Sequence, residues 1–164
     1  MNTYLVYGND YSLIKRKIDD ITGATLDIVR YDLSVCKIDE LLDDACTISL
    51  FNDKKVLIGE NANFLTTSST NVDHNIEYFE KYLNDNNHDN IVIISVISDK
   101  LDERKRIVKD LRSKATVIKT EVVEEKDLPN FVIKEFKDMG YNIDYRTANY
   151  FIEYVGKNID ILLS

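Results

Sequence analysis

The stretch Ile91-Val92-Ile93-Ile94-Ser95-Val96-Ile97 decides the fold class of this chain. Every residue in it except the serine is both apolar and β-branched, so neither side of an extended backbone would be suited to water. Such a near-continuous apolar run is typical of a strand that is covered on both faces inside a parallel sheet. The run therefore predicts a sheet with helices packed on its two sides.

Shorter apolar runs lie on both sides of this stretch, and residues with helical spacing separate them. The runs are Tyr4–Tyr7, Leu26–Leu33, Lys55–Ile58 and Thr116–Ile118. One helical set, at positions i, i+3, i+4 and i+7, consists of Ile38, Leu41, Leu42 and Ala45. The set predicted for the helix after the strand at Ile91–Ile97 consists of Leu101, Ile107, Val108 and Leu111. Five strand–helix alternations predict an α/β fold with a parallel five-stranded sheet flanked by helices.

The pattern changes after residue 120, where no further strand is predicted. Asp127 and Asp144 each precede a set of apolar residues at helical spacing, and both are good helix N-cap residues. A third helix is predicted to begin at Asn158, but the sequence ends soon afterwards. We therefore expect an α/β domain at residues 1–120 and a small helical domain at residues 121–164 whose last helix is incomplete.

The composition excludes several classes of protein. Apolar residues make up 44% and charged residues 30%, which is typical of a soluble globular protein and too apolar for a disordered one. The net charge of −8 argues against binding bare nucleic acid with the whole surface. No apolar run approaches the roughly 20 residues that a membrane span needs, and the start lacks a secretory signal. The expected location is the cytoplasm.

No metal site, cofactor site or catalytic group is predicted. Cys36 and Cys46 are ten positions apart without a nearby histidine, whereas a structural zinc site needs four ligands. His74 and His88 lie in polar segments and have no visible nucleophile partner, so we expect both to be solvated surface side chains.

The turn after the first strand has the place of a phosphate-binding loop but not its residues. It reads Gly8-Asn9-Asp10-Tyr11-Ser12-Leu13-Ile14-Lys15, whereas a P-loop needs the spacing G-x-x-x-x-G-K-[ST]. The second glycine and the Lys-Ser or Lys-Thr pair are missing, and Asp10 would repel a phosphate. The third strand ends in Gly59-Glu60-Asn61, without an adjacent pair of acids for magnesium and water. The chain is therefore not expected to be an ATPase.

A receiver-type signalling domain, or another nucleotide-binding α/β domain, is the alternative interpretation. Receiver domains share the five-strand alternation and need acids after the first strand, an aspartate after the third and a lysine after the fifth. Asp10 and Lys119 are roughly in place, but Glu60 stands where the phosphate-accepting aspartate is required.

Two large apolar residues, Leu50 and Phe51, stand together in the stretch Thr47–Lys55, directly before a polar turn. On a helix, side chains that are adjacent in sequence point about 100° apart, so a single apolar patch can hold both Leu50 and Phe51 only at its edge. One interpretation is that one or both side chains fill the core of the domain. The other is that they project from the surface as an anchor for a partner's pocket, the usual form of a binding hot spot.

Taken together, these stretches resemble the delta subunit of the bacterial DNA polymerase III clamp loader, and the match runs nearly from end to end. The resemblance is carried by Tyr4–Asp10, Ser49-Leu50-Phe51, Asp53–Ile58, Glu60–Leu65, Lys100–Arg106, Leu128-Pro129, Gly140, Ile143-Asp144 and Val155–Asp160. It implies a ring-ATPase-like module that lacks its phosphate loop, followed by a helical lid domain. The family's C-terminal collar domain is missing, so the lid is expected to be truncated.

The resemblance also implies a function in DNA replication. The delta subunit binds the sliding clamp and helps to open this ring for loading onto primed DNA, without being an ATPase itself. Ser49, Leu50 and Phe51 would form the clamp-binding element. The implied partners are the sliding clamp and, through the missing C-terminal domain, the other clamp-loader subunits. Contact with DNA would be indirect or weak, and no membrane is involved.

A basic cluster follows the fourth predicted strand. It comprises Arg104, Lys105, Arg106 and Lys109, with Arg112 and Lys114 further along. One interpretation is contact with DNA phosphates or with a neighbouring subunit. The more ordinary one is a solvated helix face that carries i,i+4 charge pairs.

Overall fold

The computed structural model describes residues 2–23, 27–47, 54–85, 89–121, 123–156 and 162. These form two compact units, Met1–Glu121 and Val122–Ser164. The strands of the first unit are β1 (Thr3–Gly8), β2 (Ile28–Asp32), β3 (Val56–Glu60), β4 (Ile91–Ile97) and β5 (Thr116–Lys119). Its helices are α1 (Tyr11–Thr22), α2 (Ile38–Ala45), α3 (Ile76–Asn84) and α4 (Arg106–Lys114). Within these ranges, no helix is long and apolar enough to cross a bilayer.

The five strands form one parallel sheet in the order β2-β3-β4-β1-β5. The central strand is β4, and its side chains from Val92 to Val96 are all buried. The predicted parallel sheet with helices on both faces is therefore confirmed, and its most apolar strand lies at the centre.

Alternate side chains of β1, β3 and β4 enter two separate cores. Leu5, Leu57 and Ile94 pack in the larger core together with the apolar faces of α2, α3 and α4. Val6 and Ile93 face the other way and pack with side chains of α1. This two-residue alternation is what a strand with both faces covered requires.

The predicted helix after β4 begins later than its apolar pattern suggested. Leu101 is buried but lies in the connection before α4, so the prediction that it belongs to this helix is wrong. The chain turns at Asp102, whose backbone N–H donates to the carbonyl of Leu65 (2.9 Å). The carboxylate of the same residue accepts a hydrogen bond from the backbone N–H of Arg104 (3.2 Å). These bonds hold a turn where a helix would need i,i+4 bonds.

The second unit contains α5 (Leu128–Asp138) and α6 (Tyr145–Val155). Asp144 caps α6, since its carboxylate accepts a hydrogen bond from the backbone N–H of Thr147 (2.7 Å). Asp127 is the residue before α5, but its side chain makes no capping hydrogen bond. The helix predicted to begin at Asn158 lies outside the described residues. The interpretation of this unit as a truncated lid stays a prediction.

His74 is buried rather than solvated, which corrects the prediction from sequence. Its ring lies 4.4 Å from the ring of Phe64, measured between centroids, and its Nδ1 accepts a hydrogen bond from the backbone N–H of Ile38 (3.2 Å). Burial lowers the pKa of His74 below its ordinary value of 6.5. The residues next to His74 in the sequence are polar, so they predicted an exposed side chain. The groups that bury it come from segments that are distant in the sequence. His88 lies outside the described residues.

Gly8, at the end of β1, is needed for close packing. A Cβ atom at this position would overlap Thr120 Oγ1 and lie 2.6 Å from the carbonyl oxygen of Thr120. Thr120 is fixed there because its backbone N–H donates to the carbonyl of Tyr7 (2.8 Å). The glycine therefore allows the chain that leaves β5 to cross the end of β1.

We predict that acid destabilises the first unit through His74. The unfolded chain takes up a proton as the pH falls below about 6.5, whereas the buried ring, with its lowered pKa, resists protonation. The free energy of unfolding should therefore fall from pH 7 towards pH 5. Urea titrations at several pH values measure this slope. His74→Asn should flatten it and His88→Asn should keep it; equal slopes in the wild type and His74→Asn would contradict the prediction.

We predict that Gly8→Ala lowers the free energy of unfolding by about 1–3 kcal/mol, because the new methyl group meets backbone that cannot move. Gly59→Ala is the matched control. Its Cβ would come within 2.8–3.1 Å only of side-chain ends, those of Leu33, Leu41 and Ile94, which can rotate away. Chemical denaturation measures both. A larger loss in Gly59→Ala than in Gly8→Ala would show that the Thr120 contact is not limiting.

Candidate functional site

The predicted clamp-binding residues Ser49, Leu50 and Phe51 lie outside the described residues. We refer to residues 48–53 as the anchor segment. The structure describes the two ends that carry it: Thr47, just after α2, and Lys55, just before β3. The candidate site is therefore built from the groups that hold these two ends.

Helix α2 leads into the anchor segment and is fixed along one face. Its start is held by a hydrogen bond from the backbone N–H of Lys37 to the carboxylate of Glu40 (3.2 Å). The side chains that it buries in the larger core are Ile38, Leu41, Leu42 and Ala45. This face agrees with the i, i+3, i+4, i+7 pattern of the sequence. The last turn of the helix is therefore set by packing.

Two acids, Asp43 and Asp44, occupy that last turn, where the helix dipole disfavours negative charge. Asp44 accepts hydrogen bonds from the hydroxyl of Tyr31 on β2 (3.1 Å) and from Nζ of Lys55 (3.2 Å). Burial is the main cause that raises the pKa of Tyr31 to about 12, and the nearby Asp44 carboxylate is the second cause. The tyrosine therefore stays a hydrogen-bond donor throughout the physiological pH range.

Asp43 is bound from the other side. Its carboxylate accepts a hydrogen bond from the hydroxyl of Tyr78 on α3 (2.9 Å), and its carbonyl accepts one from Thr47 Oγ1 (3.0 Å). Burial and the hydrogen bond to Asp43 raise the pKa of Tyr78. These acids were not predicted from the sequence to be part of the site. The sequence signal for them is a pair of adjacent acids at the C-terminal end of a predicted helix, because negative charges there need hydrogen-bond donors nearby.

Asn90, the residue before β4, joins the two ends of the anchor segment. Its side chain is buried, with 6% of its surface exposed. Nδ2 donates to the carbonyls of Ala45 (2.9 Å) and Thr47 (3.1 Å), and Oδ1 accepts from the backbone N–H of Lys55 (3.1 Å). We refer to Ala45, Thr47, Lys55 and Asn90 as the segment base.

The turn after β1 binds its own carboxylate in place of a phosphate. Helix α1 begins at Tyr11, and Oδ1 of Asp10 accepts hydrogen bonds from the backbone N–H groups of Ser12 (2.9 Å) and Leu13 (3.1 Å). These N–H groups at a helix N-terminus are the donors that a bound phosphate would use. The donors are already satisfied, and the two-residue connection leaves no loop to surround an anion.

The receiver-type alternative is wrong, because the strand order differs. Receiver sheets have the order 2-1-3-4-5, in which the first and third strands are neighbours. Here β4 separates β1 from β3, so Asp10 and Glu60 follow strands that are not adjacent. Lys119 is paired with Asp99, at 2.9 Å from Nζ to the carboxylate. The acids and the lysine therefore do not form a phosphorylation site.

Most of the basic cluster has partners within the chain. Nζ of Lys105 donates to the carbonyls of Phe64 (2.8 Å) and Thr66 (2.7 Å), so this lysine fixes a loop. Arg104 binds the carboxylate of Asp102 with two hydrogen bonds (2.8 and 2.9 Å), which lowers the pKa of Asp102 to about 2.

The remaining cations of the cluster lie on α4. Arg106 is exposed, at 3.5 Å from the carboxylate of Glu80 and 3.9 Å from that of Asp110. Lys114 also pairs with Asp110 (3.6 Å), again with i,i+4 spacing. Lys109 lies on the exposed side of the helix. These pairs favour the interpretation as a solvated helix face, whereas contact with DNA or a neighbouring subunit stays a prediction.

Within the described ranges, no group of three or more His, Cys, Asp or Glu side chains is arranged to hold a metal ion. Cys36 is half-buried, Cys46 is exposed, and both are free thiols.

A family model described as "DNA polymerase III, delta subunit" matches residues 4–121. Among curated proteins, the chain is similar to DNA polymerase III subunit delta of Bacillus subtilis, with 22% identity over 158 residues. That alignment covers 91% of this chain and 46% of the relative. The chain thus spans about half the length of the curated relative that it matches.

Solved structures show the same fold. The Bacillus subtilis DNA clamp loader delta protein is similar with a TM-score of 0.89 and 21% identity, over 99% of this chain and 51% of that one. The Holliday junction branch migration motor RuvB of Thermotoga maritima gives a TM-score of 0.55 and 13% identity, over 99% of this chain and 52% of that one. At these identities the two likenesses concern the fold.

We predict that Asp10→Ala lowers the free energy of unfolding by about 1 kcal/mol, because the first N–H groups of α1 lose their cap. Asp20→Ala on the same helix is the matched control. Asp20 is exposed and pairs only with Lys17 in the described contacts, so its loss should cost less than about 0.5 kcal/mol. Urea denaturation measures both changes. Equal stability of Asp10→Ala and the wild type would contradict the capping role.

Proposed function

Because the chain belongs to the DNA polymerase III delta-subunit family, we propose that it is a clamp-loader component that binds a sliding clamp through Leu50 and Phe51. The observation that carries this proposal is the family match over residues 4–121, a range that includes both residues and Ser49. The chain spans about half the length of the curated relative that it matches, so the activity and the partners of a whole delta subunit are proposed here.

In this proposal the two apolar side chains enter a hydrophobic pocket on one clamp protomer, and Ser49 and the adjoining turn fix the approach. Full burial of a leucine or a phenylalanine contributes roughly 1.5–3 kcal/mol each. The pair therefore suffices as an anchor, and further contacts supply the rest of the affinity. The hydrogen bonds that hold Thr47 and Lys55 support this role, because they fix both ends of the segment that presents the anchor.

Ring opening follows from the difference between two affinities. A ligand shifts an equilibrium between two shapes only by the difference in its affinity for them. We propose that the anchor fits the open shape of the clamp better than the closed one, so that binding favours a ring that can be loaded onto primed DNA in the cytoplasm.

ATP would be used by other subunits of the loader. The Asp10 cap supports this part of the proposal, since the carboxylate occupies the N–H groups that a phosphate would need. The ATPase-like fold then acts as a scaffold for the anchor. Contact with the other subunits would be made through the C-terminal domain that delta subunits carry.

We propose that contact between this chain and DNA is indirect or weak. The net charge of −8 opposes DNA binding, and Arg104 and Arg106 pair with acids of the same chain. Lys105 is committed to two loop carbonyls. Lys109 is the cluster member with the fewest described contacts, and it would be the first candidate for a phosphate.

We predict that replacing both Leu50 and Phe51 with alanine weakens clamp binding by at least about 100-fold. The expected loss corresponds to two buried side chains at roughly 1.5–3 kcal/mol each. Titration of the purified chain against the sliding clamp, by calorimetry or surface plasmon resonance, measures the affinity.

Val35→Ala is the control, because Val35 is an apolar residue of the same unit with 77% of its surface exposed. It should bind like the wild type. Unfolding of the double variant is measured in parallel. Clamp binding that survives the double substitution refutes the anchor. A loss of several kcal/mol in stability would instead place the pair in the core.

A further inference from the structure

The amide of Asn90 makes three hydrogen bonds, and all three go to backbone groups at the ends of the anchor segment. Two are donated by Nδ2 to carbonyls at the end of α2, and one is accepted by Oδ1 from the start of β3. A buried side chain that uses both of its donor protons and its acceptor on backbone from two distant segments acts as a cross-link between them.

This cross-link joins the described residues on the two sides of the anchor segment. Thr47 and Lys55 are eight positions apart, and a fully extended chain of that length spans about 26 Å. In the structure both residues are hydrogen-bonded to one amide group. The carbonyl of Lys55 is also held, by the backbone N–H of Ile91 (2.9 Å), so the β3 end has a fixed position beside β4.

We infer that Asn90 is a positioning residue for clamp binding, an inference that rests on the proposed anchor role of Leu50 and Phe51. Asn90 acts through the backbone of Thr47 and Lys55 and does not itself contact the clamp in this scheme. A binding segment with fixed ends loses less conformational freedom when it docks, and this increases affinity without adding a contact. Removing the cross-link between the two ends should therefore weaken binding.

The remaining contacts at the segment base explain why one side chain can have this effect. The side-chain pair Lys55–Asp44 is partly exposed, with 26% and 24% of the two side-chain surfaces accessible, so water competes with it. The amide of Asn90 is buried, so water competes less with its hydrogen bonds. The link from Thr47 to Lys55 within the described residues depends mainly on Asn90.

The test compares two variants of Asn90 in the full chain. Asn90→Ala removes all three hydrogen bonds. Asn90→Asp keeps the shape and the bond from Lys55 N–H, but turns an oxygen towards the carbonyls of Ala45 and Thr47. Ile18→Ala is the control for lost stability, because Ile18 is buried in the core on the other face of the sheet.

Clamp affinity is measured at a temperature where circular dichroism shows every variant to be folded. We expect about tenfold weaker binding for both Asn90 variants and unchanged binding for Ile18→Ala. Hydrogen exchange of the Lys55 backbone N–H should accelerate in Asn90→Ala and not in Ile18→Ala. If one Asn90 variant does not fold, the other decides the outcome.

The double replacement of Leu50 and Phe51 is run alongside and separates the two ideas. If it abolishes binding while both folded Asn90 variants bind like the wild type, the positioning role is refuted and the anchor stands. If Ile18→Ala loses as much affinity as Asn90→Ala, the effect is one of stability and the positioning role is refuted. If the double variant binds normally, both the anchor and the positioning role fail.

Discussion

The central strand β4 has neighbours on both edges and helices over both faces, and this arrangement constrains the rest of the first unit. Its side chains from Val92 to Val96 are buried, so they need apolar partners from two layers of helices. Parallel neighbours also cannot be joined by a hairpin, so each connection must cross a face of the sheet. These connections place polar segments at the ends of the strands, and the candidate site lies in one of these segments.

At those ends, polar side chains that are buried (Asn90 and Thr120) or half-buried (Asp10) are satisfied by backbone of the same chain. The carboxylate of Asp10 binds the first N–H groups of α1, Asn90 binds the segment base, and Thr120 binds the end of β1. A buried polar group that lacks such a partner costs free energy, which explains these pairings. The carboxylate of Asp10 thereby occupies N–H groups at a helix N-terminus that could otherwise bind a phosphate.

The positions of the strands along the sequence were predictable, because runs of β-branched apolar residues favour an extended backbone over a helix. The central strand was found with its observed bounds, and the buried face of α2 agrees with its periodicity. The helix after β4 was predicted to include Leu101, and this was wrong because a turn stabilised by Asp102 ends the connection. His74 was misjudged for a similar reason, since its partners Phe64 and Ile38 are supplied by other segments.

The sequence by itself determined the alternation of strands and helices, the lack of phosphate-loop residues and the Leu50-Phe51 pair, because each is a local pattern of residue types. The strand order was decided by tertiary structure, and it excluded the receiver-type arrangement of Asp10, Glu60 and Lys119. Tertiary structure also decided that Asn90 holds the segment base, because hydrogen bonds between residues 35 to 45 positions apart leave no local trace in a sequence.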